Sequence, residues 1–156
     1  IRAYEEVVAQ YPNVPSIHYA FGAVLLGSEP ERGVEALKAE LKVTPNHVPA
    51  LVSLAAYYLK TGEPRSALPY AERAAQAGPG EFPARATYGR VLVELENLPK
   101  GILELEAARK LAPDSPEVRF SLASAYGKAG RSAEAAKERQ EFTRLKKLDK
   151  AGGGKQ

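Results

Sequence analysis

Apolar residues recur along the chain at the spacing of an amphipathic helix, and short polar breaks interrupt them. In residues 48–81 one apolar face precedes residues 61–64, where Gly62 can end a helix and Pro64 suits the first turn of the next. A second apolar face follows, and Gly78-Pro79 ends it. The two faces comprise Leu51, Leu54, Ala55, Tyr58 and Leu59, then Ala67, Leu68, Ala71, Ala74 and Ala75. The pattern predicts a helix, a tight turn, a second helix and another tight turn.

This unit repeats at an interval of 34 residues. The interval separates Pro45, Pro79 and Pro113, and it also separates Gly33, Ala67, Gly101 and Ala135. A fixed interval kept by independent positions indicates one supersecondary unit copied in tandem. We therefore predict a single array over residues 1–150 and a flexible tail over 151–156. The array comprises a half repeat at 1–13 and repeats at 14–47, 48–81, 82–115 and 116–150.

The two ends of the array depart from the pattern. Residues 1–13 have the character of a second helix without its first, so we expect the parent chain to extend upstream. Near the other end, Lys147 stands where the next proline would fall, and the last helix should run on to about Lys150. A polar outer face on that helix would suit a terminal repeat that no neighbour covers.

The unit resembles the tetratricopeptide repeat family, a 34-residue helix–turn–helix repeat. That family has bulky apolar residues at positions 4, 7, 11 and 24 of each copy, small residues at 8, 20 and 27, and proline at 32. The second copy follows this pattern from Leu51 to Pro79, whereas the first has Phe21 at a usually small position and Glu40 in place of alanine. The resemblance implies an all-α fold, a right-handed α-solenoid of helix-turn-helix repeats.

Composition narrows the location and the class of partner. With 22 basic and 19 acidic residues and no cysteine, the chain has no dominant charge, disulfide framework or thiolate metal site. No apolar run is long enough for a membrane helix and no targeting segment is visible, so we expect a soluble protein, cytoplasmic or periplasmic, without membrane contact. Residues 131–156 hold eight basic and four acidic side chains, which we interpret as a solvated helix rather than a nucleic-acid site. The abundance of Ala, Gly and Arg favours a bacterial source.

The sequence has few residues that are candidates for catalysis or metal binding. The two histidines, His18 and His47, are nearly a repeat apart, and the two aspartates are Asp114 and Asp149. No nucleophile motif, phosphate-binding loop or metal-ligand spacing is present. We therefore predict neither an enzyme nor a metal or cofactor site.

The resemblance implies a peptide-binding groove lined by the first helices of successive repeats. Its groove-facing positions, 2, 5, 9, 12 and 13, are carried over with an ungapped register. They give His18, Leu25, Val52, Ala56, Leu59, Lys60, Ala86, Arg90, Val93, Glu94, Phe120, Ser124 and Lys128. Such a surface suits an amphipathic helix or an extended apolar peptide, and Arg90 could bind a carboxylate. Alternatively, Leu25, Leu59 and Val93 pack between neighbouring first helices.

The sequence is compatible with more than one kind of partner. The Lys, Asn and Arg residues with which chaperone-binding members of the family grip a C-terminal carboxylate have no counterparts here, so we expect no chaperone-tail binding. The chain could instead self-associate through the half repeat, around Tyr4, Val7, Val8 and Tyr11. A third hypothesis is that the chain is an accessory segment of a larger enzyme or signalling protein.

Overall fold

The computed structural model describes residues 2–153, and every regular element within them is an α-helix. The predicted all-α fold is confirmed. The helices are α1 (Arg2–Gln10), α2 (Ile17–Leu25), α3 (Pro30–Val43), α4 (Val48–Lys60), α5 (Pro64–Ala77), α6 (Phe82–Glu94), α7 (Leu98–Leu111), α8 (Pro116–Lys128) and α9 (Ser132–Gly152).

The chain divides into two compact units, Ile1–Pro79 and Gly80–Gln156. The first unit contains α1 to α5 and the second α6 to α9. Within each unit, the strongest packing joins a first helix to the second helix that follows it: α2 to α3, α4 to α5, α6 to α7 and α8 to α9. That residues 1–150 form one array remains a prediction.

Small residues let the paired helices approach closely. In the second unit a methyl group added to Gly89 would lie 2.7 Å from Leu105 Cγ, and one added to Gly101 would lie 2.8 Å from Val93 Cγ2. Real side chains do not approach so closely, so both positions require glycine at this helix spacing. In the pair α4–α5, Ala55 and Ala67 are fully buried.

The first unit contains a second glycine pair, which reveals a break in the 34-residue register. A methyl group on Gly22 would lie 2.8 Å from Leu37 Cγ and 3.0 Å from Gly33 O, the same surroundings that Gly89 meets. Yet Gly22 and Gly89 are 67 residues apart in sequence, whereas Gly33 and Gly101 are 68 apart, two full periods. Helix α2 is therefore shifted by one residue, and Phe21 occupies the bulky position rather than the small one.

The missing residue is in the turn between α2 and α3. The three later copies end their first helix with a hydrogen bond across five residues, in which Glu63 N–H, Asn97 N–H and Arg131 N–H donate to Tyr58 O, Leu92 O and Tyr126 O. In the first copy Glu29 N–H donates to Leu25 O, only four residues back.

Each of the longer turns contains one residue in the left-handed conformation. It is Gly62 (φ 78°), Glu96 (φ 61°) or Gly130 (φ 74°), at intervals of 34 residues. Together with the five-residue hydrogen bond, this is the Schellman arrangement that ends many helices. Glu96 is the one non-glycine residue of the three, so its backbone is strained.

The last helix differs from the earlier second helices in length. Helix α9 has 21 residues, whereas α3, α5 and α7 each have 14. It passes through Lys147 and ends at Gly152, so Ala151 and Gly152, which we predicted to be in the flexible tail, are helical. Gly153 follows as the C-cap of the helix, and the rest of the predicted tail, 154–156, lies outside the described residues.

The three equivalent turns predict opposite effects of two substitutions. Glu96→Gly should raise the free energy of unfolding by roughly 0.5 kcal/mol, because relief of the left-handed strain outweighs the added chain entropy. Gly62→Ala should lower it by about 1 kcal/mol. A methyl group on Gly62 would have no atom within 4 Å, so the effect there is conformational. Urea denaturation measures both, and changes of the same sign would contradict the assignment.

Candidate functional site

The structure separates the predicted groove residues into accessible and buried sets. Ten are exposed or half-buried: Val52, Ala56, Leu59 and Lys60 in the first unit, and Ala86, Arg90, Glu94, Phe120, Ser124 and Lys128 in the second. Three are buried: His18, Leu25 and Val93. The buried three take part in packing and do not line an accessible surface.

His18 joins α1 to the start of α2. The Pro12 carbonyl accepts a hydrogen bond from His18 Nε2 (2.9 Å), so Nδ1 is the acceptor for the Tyr4 hydroxyl (2.8 Å). The Tyr4 ring stacks on Phe21 with centroids 3.4 Å apart. Burial, and secondarily the Glu40 carboxylate, raises the pKa of Tyr4. The expected groove contact at His18 is thus wrong, because both ring nitrogens are already bonded within the protein.

Leu25 and Val93 are buried for different reasons. Leu25 was assigned to the groove by the ungapped register, and the one-residue shift of α2 turns it into the core instead. Val93 is 5% exposed and belongs to the core cluster around Ile102 and Leu105. Leu25 and Val93 are therefore core residues, whereas Leu59 is half-buried.

The same shift identifies two surface residues that the sequence reasoning missed. Tyr19 and Ala23 occupy the positions in α2 that Val52 and Ala56 occupy in α4. Ala23 is exposed, and the half-buried Tyr19 ring lies 4.9 Å from the His47 ring. The available signal was the adjacent pair Phe21-Gly22, which matches the bulky-then-small pattern of the other copies once moved by one residue.

Polar contacts fix the starts of α2 and α4. The buried Glu40 carboxylate accepts hydrogen bonds from Ser16 N–H (2.8 Å) and Tyr19 N–H (3.2 Å), which caps α2 from α3. His47 caps α4, since its Nδ1 accepts from Ala50 N–H (3.2 Å). His47 Nε2 therefore carries the hydrogen and donates to Ser16 Oγ (3.1 Å).

In the second unit the accessible residues of α6 and α8 form three rungs, which we call the α6–α8 ladder: Glu94 with Lys128, Arg90 with Ser124, and Ala86 with Phe120. Each pair is 34 residues apart, and successive rungs are four residues apart, about one helical turn. The Glu94–Lys128 rung is a direct ion pair at 3.9 Å, which places these equivalent positions side by side. The structure thus brings together six predicted residues on one exposed face.

The arginines of α6 and α8 are used in two ways. Arg85 pairs with Glu104 at 2.8 Å and Arg119 with Glu138 at 3.0 Å, and both are partly buried. Arg90 is exposed, and no carboxylate in residues 2–153 pairs with it. Its charge is therefore directed to solvent.

Buried polar contacts hold α8 in place behind the ladder. Glu138 of α9 is 4% exposed and pairs with both Arg109 and Arg119. The Tyr126 hydroxyl donates to Glu106 Oε1 (2.6 Å), and the Arg131 guanidinium lies 4.6 Å from the ring centroid. Burial, followed by this hydrogen bond to Glu106, raises the pKa of Tyr126 from 10.0 to about 12.

Metal-ligand clusters and membrane-spanning helices are both absent from the described part of the chain. Between residues 2 and 153, no group of three or more His, Asp or Glu side chains is arranged to hold a metal ion. None of the helices there has the length and apolar character needed to span a bilayer.

The Tyr126 environment predicts a pH-dependent loss of stability. The folded pKa lies above the unfolded value, so this contribution is complete below pH 10 and disappears as pH rises towards about 12. The free energy of unfolding of the wild-type protein should fall more steeply over that range than that of Tyr126→Phe. Denaturant unfolding at several pH values measures both slopes, and equal slopes would contradict the burial effect.

Comparison with known proteins agrees with the helical-repeat fold. Two tetratricopeptide repeat models match residues 27–82 and residues 58–118, and together they span 27–118. No curated protein matches the chain.

Several solved structures of MamA are similar over most of their length. The segment 41-end of MamA from Desulfovibrio magneticus RS-1 is 26% identical with a TM-score of 0.82, covering 94% of this chain and 84% of that one. A double mutant of MamA RS-1 is 25% identical with a TM-score of 0.84, covering 96% and 85%. A third MamA structure, 20% identical with a TM-score of 0.82 over 96% and 88%, shows the fold alone. The repeat period, the helix pairs and the two model matches place this chain in the tetratricopeptide repeat family.

Proposed function

We propose that this chain is a non-catalytic scaffold that binds a peptide or helix of a partner protein against the first helices of its repeats. Membership of the tetratricopeptide repeat family supports a role in protein interaction. The observation that carries the proposal is the α6–α8 ladder, where Arg90 and Phe120 are exposed on neighbouring rungs.

Packing within the protein does not explain why Arg90 and Phe120 are exposed. Phe120 is 62% exposed, although its ring touches Phe142 at a centroid distance of 5.7 Å. A large aromatic side chain left in water costs free energy that a bound partner would recover. Arg90 similarly contributes no ion pair within the described residues, so a partner carboxylate would find it available.

The hydrogen bonds of the histidines favour a structural role over a catalytic one. His18 and His47 have hydrogen-bond partners at both ring nitrogens within the first unit, and each fixes the position of a helix. A general base must have a nitrogen within reach of its substrate. Both imidazoles are occupied by structural roles.

Selection of peptides from a display library against the full chain tests the proposal. Enriched peptides should bind the wild-type protein and lose at least ~10-fold in affinity, about 1.4 kcal/mol, with Arg90→Glu combined with Phe120→Ala. Lys110→Glu combined with Leu103→Ala makes a corresponding charge reversal and apolar truncation at exposed positions of α7, and it should leave affinity within about twofold. Failure to enrich any peptide, or equal losses in both double variants, would refute it.

Self-association is a second candidate, favoured by exposed apolar residues near α1. Val7 is 41% and Tyr11 52% exposed, whereas Tyr4 is engaged with Phe21 and is not available. On this reading, light scattering over a concentration series would show a rising mass that Val7→Asp with Tyr11→Asp abolishes. A mass independent of concentration, at that of a monomer, would exclude it.

A further inference from the structure

The α6–α8 ladder has a chemical polarity along its length. One end carries the apolar rung of Ala86 and Phe120, the middle carries the cation of Arg90 with the small hydroxyl of Ser124, and the other end carries the ion pair of Glu94 and Lys128. A ligand along the ladder would therefore meet an apolar contact, then a positive charge, then a pair of nearly balanced charges.

The repeat geometry sets the distance between the first two features. Arg90 and Phe120 are on different helices and one rung apart. Neighbouring helix axes are about 9 Å apart and one turn rises about 5.4 Å, so the two side chains emerge about 10 Å from each other. That distance is spanned by about three residues of extended polyproline II peptide, in which every third side chain returns to the same face, or by about seven residues of helix.

We infer that the α6–α8 ladder binds an acidic peptide segment whose carboxylate pairs with Arg90 and whose large apolar side chain packs on Phe120. Arg90 selects a carboxylate because a guanidinium can donate two parallel hydrogen bonds to it. Phe120 selects an apolar side chain because the contact removes aromatic surface from water. This inference rests on the proposed scaffold function and adds the chemistry of the ligand.

Electrostatic contrast within the chain supports this choice. Arg85 pairs with Glu104, Arg119 shares Glu138 with Arg109, and Lys128 lies opposite Glu94. Glu94 lies one turn from Arg90 but pairs with Lys128, so Arg90 is the cation of the ladder that forms no ion pair in the described residues, and an added carboxylate gains most there. A ligand with lysine at this place would be repelled by Arg90.

Comparison of peptides that carry either Asp or Lys at the position facing Arg90 tests the inference. Labelled peptides carrying Asp and Phe, three residues apart in a proline-rich peptide or seven residues apart in an alanine-rich one, are titrated into the full chain and followed by fluorescence anisotropy. One of the two spacings should bind the wild-type protein at least ~10-fold more tightly than the same peptide with Lys in place of Asp. The spacing that binds distinguishes an extended ligand from a helical one.

Variants of the protein then distinguish specific recognition of the peptide from a loss of binding caused by unfolding. Arg90→Glu should reverse the preference in favour of the Lys peptide, an outcome that unfolding cannot produce. Phe120→Ala should weaken both peptides by ~10-fold, and Lys110→Glu on α7 should change neither by more than about twofold. An unchanged preference in Arg90→Glu would overturn the inference.

The same data distinguish this inference from the broader proposal. If library-selected peptides bind while Asp and Lys peptides bind equally, the chemistry assigned to the ladder is wrong and the scaffold function stands. If neither the selected peptides nor the designed ones bind the wild-type chain, both fail.

Discussion

Contact between two small residues, one in each helix of a pair, sets the geometry on which the other features depend. In the second unit an added methyl group on Gly89 would come within 3.0 Å of Gly101 O, and in the first unit Gly22 meets Gly33 in the same way. Because the backbones almost touch, neither helix can rotate about its axis without a clash. Arg90 directly follows Gly89, so the same contact that buries the glycine turns the arginine outward.

Two buried glutamates occur in the second helices, and each stabilises a neighbouring first helix. Glu40 caps the start of α2, and Glu138 pairs with Arg109 and with Arg119 of α8. Buried carboxylates are costly without such partners, so they secure the register of the helices that they join. Removal of one partner would leave a charge in the core, whereas an exposed arginine such as Arg90 can be changed without that penalty.

The hydrophobic period was sufficient to predict the helix pairs, because bulky and small residues recur where the helices pack. It was not sufficient for α2. The period there was measured on prolines and on second-helix residues such as Gly33 and Gly101, which keep the interval, whereas the turn before α3 is one residue shorter. One residue turns a helix by about 100°, so His18 and Leu25 face inward. The sequence pattern also did not predict that Arg119 is paired whereas Arg90 is not. The partner of Arg119 is Glu138, which is in another helix, so no local pattern could indicate the pair.

The shortened turn has a consequence for how the repeats can be exchanged. The later copies share one numbering, so recombination between equivalent residues of α4, α6 and α8 preserves which side chains face the core. If a segment of a later first helix replaced α2 at positions 34 residues apart, its side chains would be rotated by about 100°. Residues that face the core in the later copies would then face solvent. The first copy is therefore not interchangeable with the later copies at equal sequence positions, whereas a segment of α4, α6 or α8 can replace its counterpart without changing which residues face the core.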